Sequence, residues 1–348
     1  PPPPPPPPPP LFSSRRRHTR SYLKSRGLGD VYKRQTLTTG ITAGTNIVTA
    51  LRISDVSDSV QFSVVTISGG VSYYTLTPAG DSTIVAGDSI AYTLRAFDQF
   101  DNAVANTDTV SLTAVGSTTA GFSPGPYLFA GNDSLTFRVS DTTAGSFTAR
   151  AVNNNNPAVT ITSGLITILP GNATTIIRLS SADSINVGGE RLLQYALEDI
   201  YGNRLSDSLM TFTRFNGNGT FSNGTATIDT LTNTSGIAQA NYTASDNLSF
   251  GSDSIEITYG SLSDTLALAL RSSLVSYYTL TPSTDSTIVA GDSITYTVTA
   301  RDQFGNAIIN SGSLASPLTA QGSSTAEFSP GPYNFSGDST LTFWVSDT

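Results

Sequence analysis

The side chains in this sequence best placed to do chemistry are carboxylates and amides gathered in three similar turns. Asp98-Gln-Phe-Asp-Asn102 is followed closely by Asp108, and the pattern returns as Asp199-Ile-Tyr-Gly-Asn203 and Asp302-Gln-Phe-Gly-Asn306. Oxygen donors this close in sequence suit a hard divalent cation, which makes Asp98, Asp101, Asn102 and Asp108 a candidate calcium set. The same residue types also close turns without a metal, because Asp and Asn side chains accept hydrogen bonds from the backbone just ahead of them. We read Asp98, Asn102, Asp199, Gly202, Asn203, Asp302, Gly305 and Asn306 as structural turn positions. Calcium is the alternative, and no other cofactor is expected.

Other chemistries lack their residues. The 348-residue chain has no Cys and one His, His18, so thiolate zinc sites, disulfides, cysteine nucleophiles and serine–histidine triads are all excluded from residue 19 onward. A carboxylate pair could still hydrolyse a glycosidic bond. The acids here fall mainly in turns, however, and the aromatics mainly at inward strand positions, so no catalytic residue is assigned and no enzyme is expected. Trp344, the one tryptophan, alternates outward from Leu341, Phe343 and Val345 and is a candidate surface contact.

The elements that must position these residues follow from an internal repeat. Val71–Pro78 returns as Val275–Pro282, and Ser82–Ile90 returns as Ser286–Ile294. Leu135–Thr142 returns as Leu341–Thr348, with Trp344 in place of Arg138. The three aspartate turns halve that spacing, so the unit is about one hundred residues, a usual domain size. Two unit types alternate, at 71–169 and 275–348 and, between them, at 170–274. The last unit reads as truncated. Residues 36–70 read as the C-terminal remnant of another unit, since Val56–Phe62 parallels Leu262–Leu268.

Within a unit the hydrophobic period is two. Ile90, Tyr92, Leu94 and Ala96 alternate with Ser89, Ala91, Thr93 and Arg95, and the same alternation occurs at Ile294–Arg301 and around Leu193, Tyr195 and Leu197. Such a pattern makes half-buried strands with one face to a core. In the middle unit the spacing predicts strands over 174–179, 191–198, 209–213, 225–230, 237–243, 254–259 and 265–270. Gly188-Gly189, Asn216-Gly-Asn-Gly219 and Asn223-Gly224 lie between them as turn signals. Seven short strands in about one hundred residues predict an antiparallel β-sandwich. The expected fold class is all-β, as tandem sandwiches without disulfides.

Residues 1–35 differ from everything after them. Ten prolines precede a segment with eight basic residues and one acid, and Phe12–Arg20 with Val31–Gln35 resembles translated sequencing-adapter sequence fused to a metagenomic reading frame. We read this leader as a disordered artefact. Removing it leaves 10 basic residues, all Arg, against 25 acidic ones, a formal charge of about −15. That balance disfavours nucleic acid and anionic membrane surfaces, which need clustered Lys or Arg. No apolar run approaches the ~18 residues that a membrane-spanning helix requires.

The middle unit resembles bacterial immunoglobulin-like domains of the invasin and intimin type. The resemblance rests on Asp199-Ile-Tyr-Gly-Asn203, Leu209–Phe212, Gly217–Phe221 and Thr232–Tyr242, with Asp199, Tyr201, Gly202, Asn203, Thr232, Gly236 and Ala238 matching the markers of that family. It implies a fragment of a large secreted or surface-attached bacterial protein, located outside the cell, whose domains act as spacers and adhesion modules. Neighbouring immunoglobulin-like domains of the same chain would be its partners, together with an unknown surface protein or glycan. The alternative is a carbohydrate-binding or accessory module attached to an extracellular enzyme.

Overall fold

Alternating apolar and polar residues become strands wherever the period-two pattern runs, and the computed structural model of the chain, which describes residues 36–52, 55–123, 125–314 and 318–348, is built from them. The leader reading of residues 1–35 lies outside the described residues. The chain divides into two compact units, one ending at Ile67 and one from Ser68 to Thr348.

In the first unit β1 (Gly44–Arg52) pairs antiparallel with β2 (Asp55–Thr66), with Val48 opposite Phe62 and Ala50 opposite Val60. Directly opposed residues share a face, so one face of this hairpin is apolar. Val60 and Phe62 are 64% and 51% exposed, whereas Leu266 and Leu268, their counterparts in the sequence parallel, are fully buried. Among the described residues of this unit no second sheet covers that face.

Among the described residues, the second unit begins with a sandwich of nine strands. They are β3 (Tyr73–Thr77), β4 (Ser82–Val85), β5 (Ser89–Phe97), β6 (Val110–Val115), β7 (Gly121–Phe122), β8 (Ser134–Ser140), β9 (Gly145–Asn153), β10 (Thr160–Thr162) and β11 (Ile166–Leu169). One sheet has the order β3-β5-β8-β7, and the other joins β10-β9-β11-β4 with β6 also on β9. Tyr92, Leu94 and Ala96 of β5 are fully buried and meet Phe147, Ile166 and Ile168 of the opposite sheet. The alternation predicted for β5 is therefore the core pattern.

A second sandwich follows the same plan with β12 (Thr175–Arg178), β13 (Ile185–Asn186), β14 (Glu190–Glu198), β15 (Leu209–Asn216), β16 (Thr220–Phe221), β17 (Thr227–Leu231), β18 (Ile237–Thr243), β19 (Ser252–Tyr259) and β20 (Leu262–Arg271). Its sheets are β12-β14-β18-β16 and β13-β20-β19-β15-β17. Tyr195, Phe212, Phe221 and Tyr242 form a ring chain through the core, with successive centroids 5.7, 6.3 and 5.1 Å apart. The two-residue strands β13 and β16 and a 3-10 turn at Leu248–Phe250 are too short to show a hydrophobic period, and the sequence pattern does not reveal them.

Pairing is antiparallel except at one place in each of these sandwiches, where β4 runs parallel to β11 and β13 runs parallel to β20. The cause is topological. The chain enters along one sheet and then crosses to the other, so it meets the last strand running in the same direction. A further sheet, β21 (Tyr277–Thr281), β22 (Ser293–Arg301), β23 (Glu327–Phe328) and β24 (Thr340–Ser346), has the order β21-β22-β24-β23 and a smaller core of Val298, Ala300, Ile308 and Phe335. Strands matching β9 to β11 are not among the described residues. Accordingly Tyr278 is 45% exposed where its counterpart Tyr74 is 4% exposed.

Candidate functional site

Each aspartate turn closes on a buried carboxylate at the end of a core strand. Asp199 follows β14, and its Oδ1 accepts the N–H groups of Tyr201 (2.8 Å) and Asn203 (2.9 Å). Its Oδ2 accepts Asn203 Nδ2 (2.9 Å) and the Gly171 N–H (2.8 Å). Asp98 repeats all four bonds with Phe100, Asn102 and Gly69. Asp302 repeats the three within its own turn. The fourth turn residue has positive φ in every case, 67° at Asp101, 81° at Gly202 and 88° at Gly305. Glycine takes that conformation without steric cost. Asp tolerates it, and at Asp101 the side chain also accepts the Tyr73 hydroxyl at 2.6 Å.

The electrostatics follow from those donors. Burial opposes charge on Asp98, but hydrogen bonds from the Asn102 side chain and from the N–H groups of Gly69, Asn102 and Phe100 outweigh it. They hold the carboxyl at about 2, below the ordinary 3.8. Burial likewise opposes ionisation of Asp199, and its bonds from Asn203, Gly171 and Tyr201 lower it nonetheless. Several N–H donors stabilise the charged form of a carboxyl and so lower its pKa.

The side chains of the candidate calcium set are bonded to three different sets of partners. Asp98 and Asn102 bond each other, and Asp101 is engaged by Tyr73. Asp108 accepts Asn153 Nδ2 at 2.8 Å and Asn155 Nδ2 at 2.6 Å. Among the described residues no group of three or more His, Cys, Asp or Glu side chains is placed to hold a metal ion. The eight positions read as turn residues lie in the three turns just described. Trp344 sits on the outward face of β24, opposite Thr295, and is 36% exposed.

Two buried acids carry networks that the sequence pattern does not signal. Asp141 accepts Ser117 Oγ (2.6 Å), Thr119 Oγ1 (2.8 Å) and the Thr143 N–H (2.9 Å). Asp253 accepts both the hydroxyl and the N–H of Ser245, whose Oγ in turn accepts the N–H groups of Asn218 (2.6 Å) and Gly219 (2.9 Å). A serine donating to a carboxylate has the outline of an activated nucleophile. Ser245 and Asp253 are fully buried, however, and the bonds of the cluster tie the loops at Asn218 and Ser245 to β19. Arg178 of β12 makes a bidentate pair with Asp264 of β20 at 2.9 Å, which pins one sheet to the other.

The residues on which the resemblance of the middle unit rests are also structural. Thr232, 1% exposed, donates its hydroxyl to the Leu205 carbonyl (2.7 Å) and accepts the Ser208 N–H (3.0 Å). A Cβ on Gly236, where φ is 70°, would lie 2.5 Å from Arg204 Cβ. Ala238 is fully buried and paired opposite Tyr195. These residues bind the turn after Asn203 to the β17–β18 connection and leave no reactive group facing solvent.

No family model matches the chain, and no curated protein sequence matches it. Solved structures similar to it include the Escherichia coli adhesin FdeC, at 17% identity over 81% of this chain and 91% of that one, with a TM-score of 0.46. The Yersinia pseudotuberculosis adhesin InvE is similar at 15% identity over 56% of this chain and 58% of that one, with a TM-score of 0.28. Domains 1–6 of the surface layer protein SbsC are similar at 15% identity over 88% of this chain and 44% of that one, with a TM-score of 0.29. Likeness at this level leaves the architecture resting on the strands and sheets themselves.

Proposed function

We propose that the chain is a non-catalytic spacer and adhesion segment of a bacterial cell-surface or secreted protein, in which successive immunoglobulin-like domains are held at fixed angles. The observation that carries this reading is the short, tethered linker. Between Leu169 at the end of β11 and Thr175 at the start of β12, the Gly171 N–H is bonded to the buried Asp199 carboxylate at 2.8 Å. A linker fixed at its midpoint to the next domain does not behave as a flexible coil. Support for the surface location comes from the family markers around Asp199 and Thr232 and from the acidic balance, which favours solubility and disfavours nucleic acid. The partners in this reading are the adjoining domains and a surface protein or glycan.

Limited proteolysis of the full chain tests it. The peptide bonds of residues 170–174 are expected to resist a nonspecific protease under native conditions while exposed loop tips are cut, and rapid cleavage within that stretch would contradict the tethered linker. The carbohydrate-binding alternative draws on the outward Trp344. It would gain from glycan binding that Trp344→Ala abolishes.

A further inference from the structure

We infer that the Asp-x-aromatic-Gly-Asn turn is a docking element that locks each domain onto the one before it, with its asparagine as the clamp and its aromatic ring as the cover over a glycine socket. This deepens the spacer reading and rests on it. At the first junction Asn203 Nδ2 donates to the Thr142 carbonyl (2.8 Å), and Asn203 Oδ1 accepts the Ala144 N–H (2.7 Å). At the second, Asn306 Nδ2 donates to the Asp246 carbonyl (2.7 Å), and Asn306 Oδ1 accepts the Leu248 N–H (3.0 Å). Both clamps take the carbonyl of one residue and the N–H two residues later in the matching loop. A side-chain amide can do this because it presents one acceptor and two donors, the second donor hydrogen being kept for Asp199 or Asp302.

The ring acts beside the clamp. Tyr201 lies over Gly87 and Phe304 over Gly188, so closely that a Cβ on either glycine would come within 2.8 Å or 2.7 Å of ring carbon Cε2. The glycines have φ of 88° and 68°, and their N–H groups bond the carbonyls of Asp141 (2.8 Å) and Ser245 (3.0 Å), in the very loops that the asparagines grip. Socket and clamp are thus one surface. Gly291 repeats it, with φ of 88° and its N–H on the Asp347 carbonyl at 3.0 Å, and no atom stands within 4 Å of its Cβ position. The partner this surface fits is an immunoglobulin-like domain presenting an aspartate turn with Tyr or Phe third and Asn fifth. Asp199 backs the device by holding both Asn203 and the linker residue Gly171, so linker and clamp share one carboxylate.

The chain has no Cys, so paired spin labels can be attached to the full chain at Thr136→Cys with Asn241→Cys, or at Asn241→Cys with Thr342→Cys. The expected result is a narrow distance distribution for both pairs. Asn203→Ala should broaden only the first pair and Asn306→Ala only the second. Tyr201→Ala, which removes a ring that is 50% exposed and outside its own domain's core, should also broaden the first pair and keeps the test open if Asn203→Ala fails to fold. Broad distributions in the unsubstituted turns would overturn the spacer reading itself. Narrow distributions that survive Asn203→Ala and Tyr201→Ala would leave that reading standing and overturn the docking element.

Discussion

At the scale of single residues, stability is decided by which side of a strand a side chain occupies. Tyr195 and Gln194 are neighbours on β14, but Tyr195 is fully buried against Phe212 while Gln194 lies on the other face, half-buried. Removing the ring deletes its burial and leaves a cavity, so Tyr195→Ala should destabilise the middle domain by about 3 to 5 kcal/mol, whereas Gln194→Ala should change it by about 0.5 kcal/mol or less. Denaturant midpoints followed at amide signals of that domain measure both, and equal shifts would refute the face assignment. These inward positions were legible because alternation alone sorts them. The pairing of Asp98 with Asn102 was legible too, since four residues is the span of a self-closing turn. Asp108 was not, because its partner Asn153 lies 45 residues along the chain on another strand, and sequence proximity to Asp98 carried no information about it.

At the scale of elements, the long strands could be read and the short ones could not. The pattern at Ser89–Phe97 and Ile237–Thr243 coincides with β5 and β18. β13 and β16 owe their existence to the partner strands β20 and β18 rather than to any local period. Parallel pairing at β4 and β13 was hidden for the same reason, being a consequence of the crossing between sheets. The aspartate turn is an element whose stability is tied to charge. The Asp98 carboxyl is held at about 2 when folded against 3.8 ordinarily, so between those values the unfolded chain binds more protons than the folded one. The turn's contribution is fully present above about pH 4 and is lost as pH falls through about 2. Acid titration of the first domain's amide signals should show this loss in the parent chain. Asp98→Asn should flatten the dependence in that window and lower stability at pH 7. An unchanged acid slope in Asp98→Asn would contradict the role given to the carboxylate.

At the scale of the molecule from Ser68 onward, hydrophobic alternation is spent on separate cores, one per domain, and polar chemistry is spent on the turns and junctions between them. The repeat spacing is what points to a succession of domains in the sequence. What it left hidden is that Asn203 and Asn306 reach across a boundary, because a contact such as that between Asn203 and Thr142 is fixed by how two folded domains meet. The central claim is that these domains keep one mutual orientation. Residual dipolar couplings of the full chain test it most directly, by comparing the alignment tensor fitted to residues 71–169 with that fitted to residues 170–274. Rigid docking predicts tensors of equal magnitude and rhombicity with coincident axes. Tensors that differ in magnitude, or a reduced order in one domain, would mean the two domains move independently and would contradict the account.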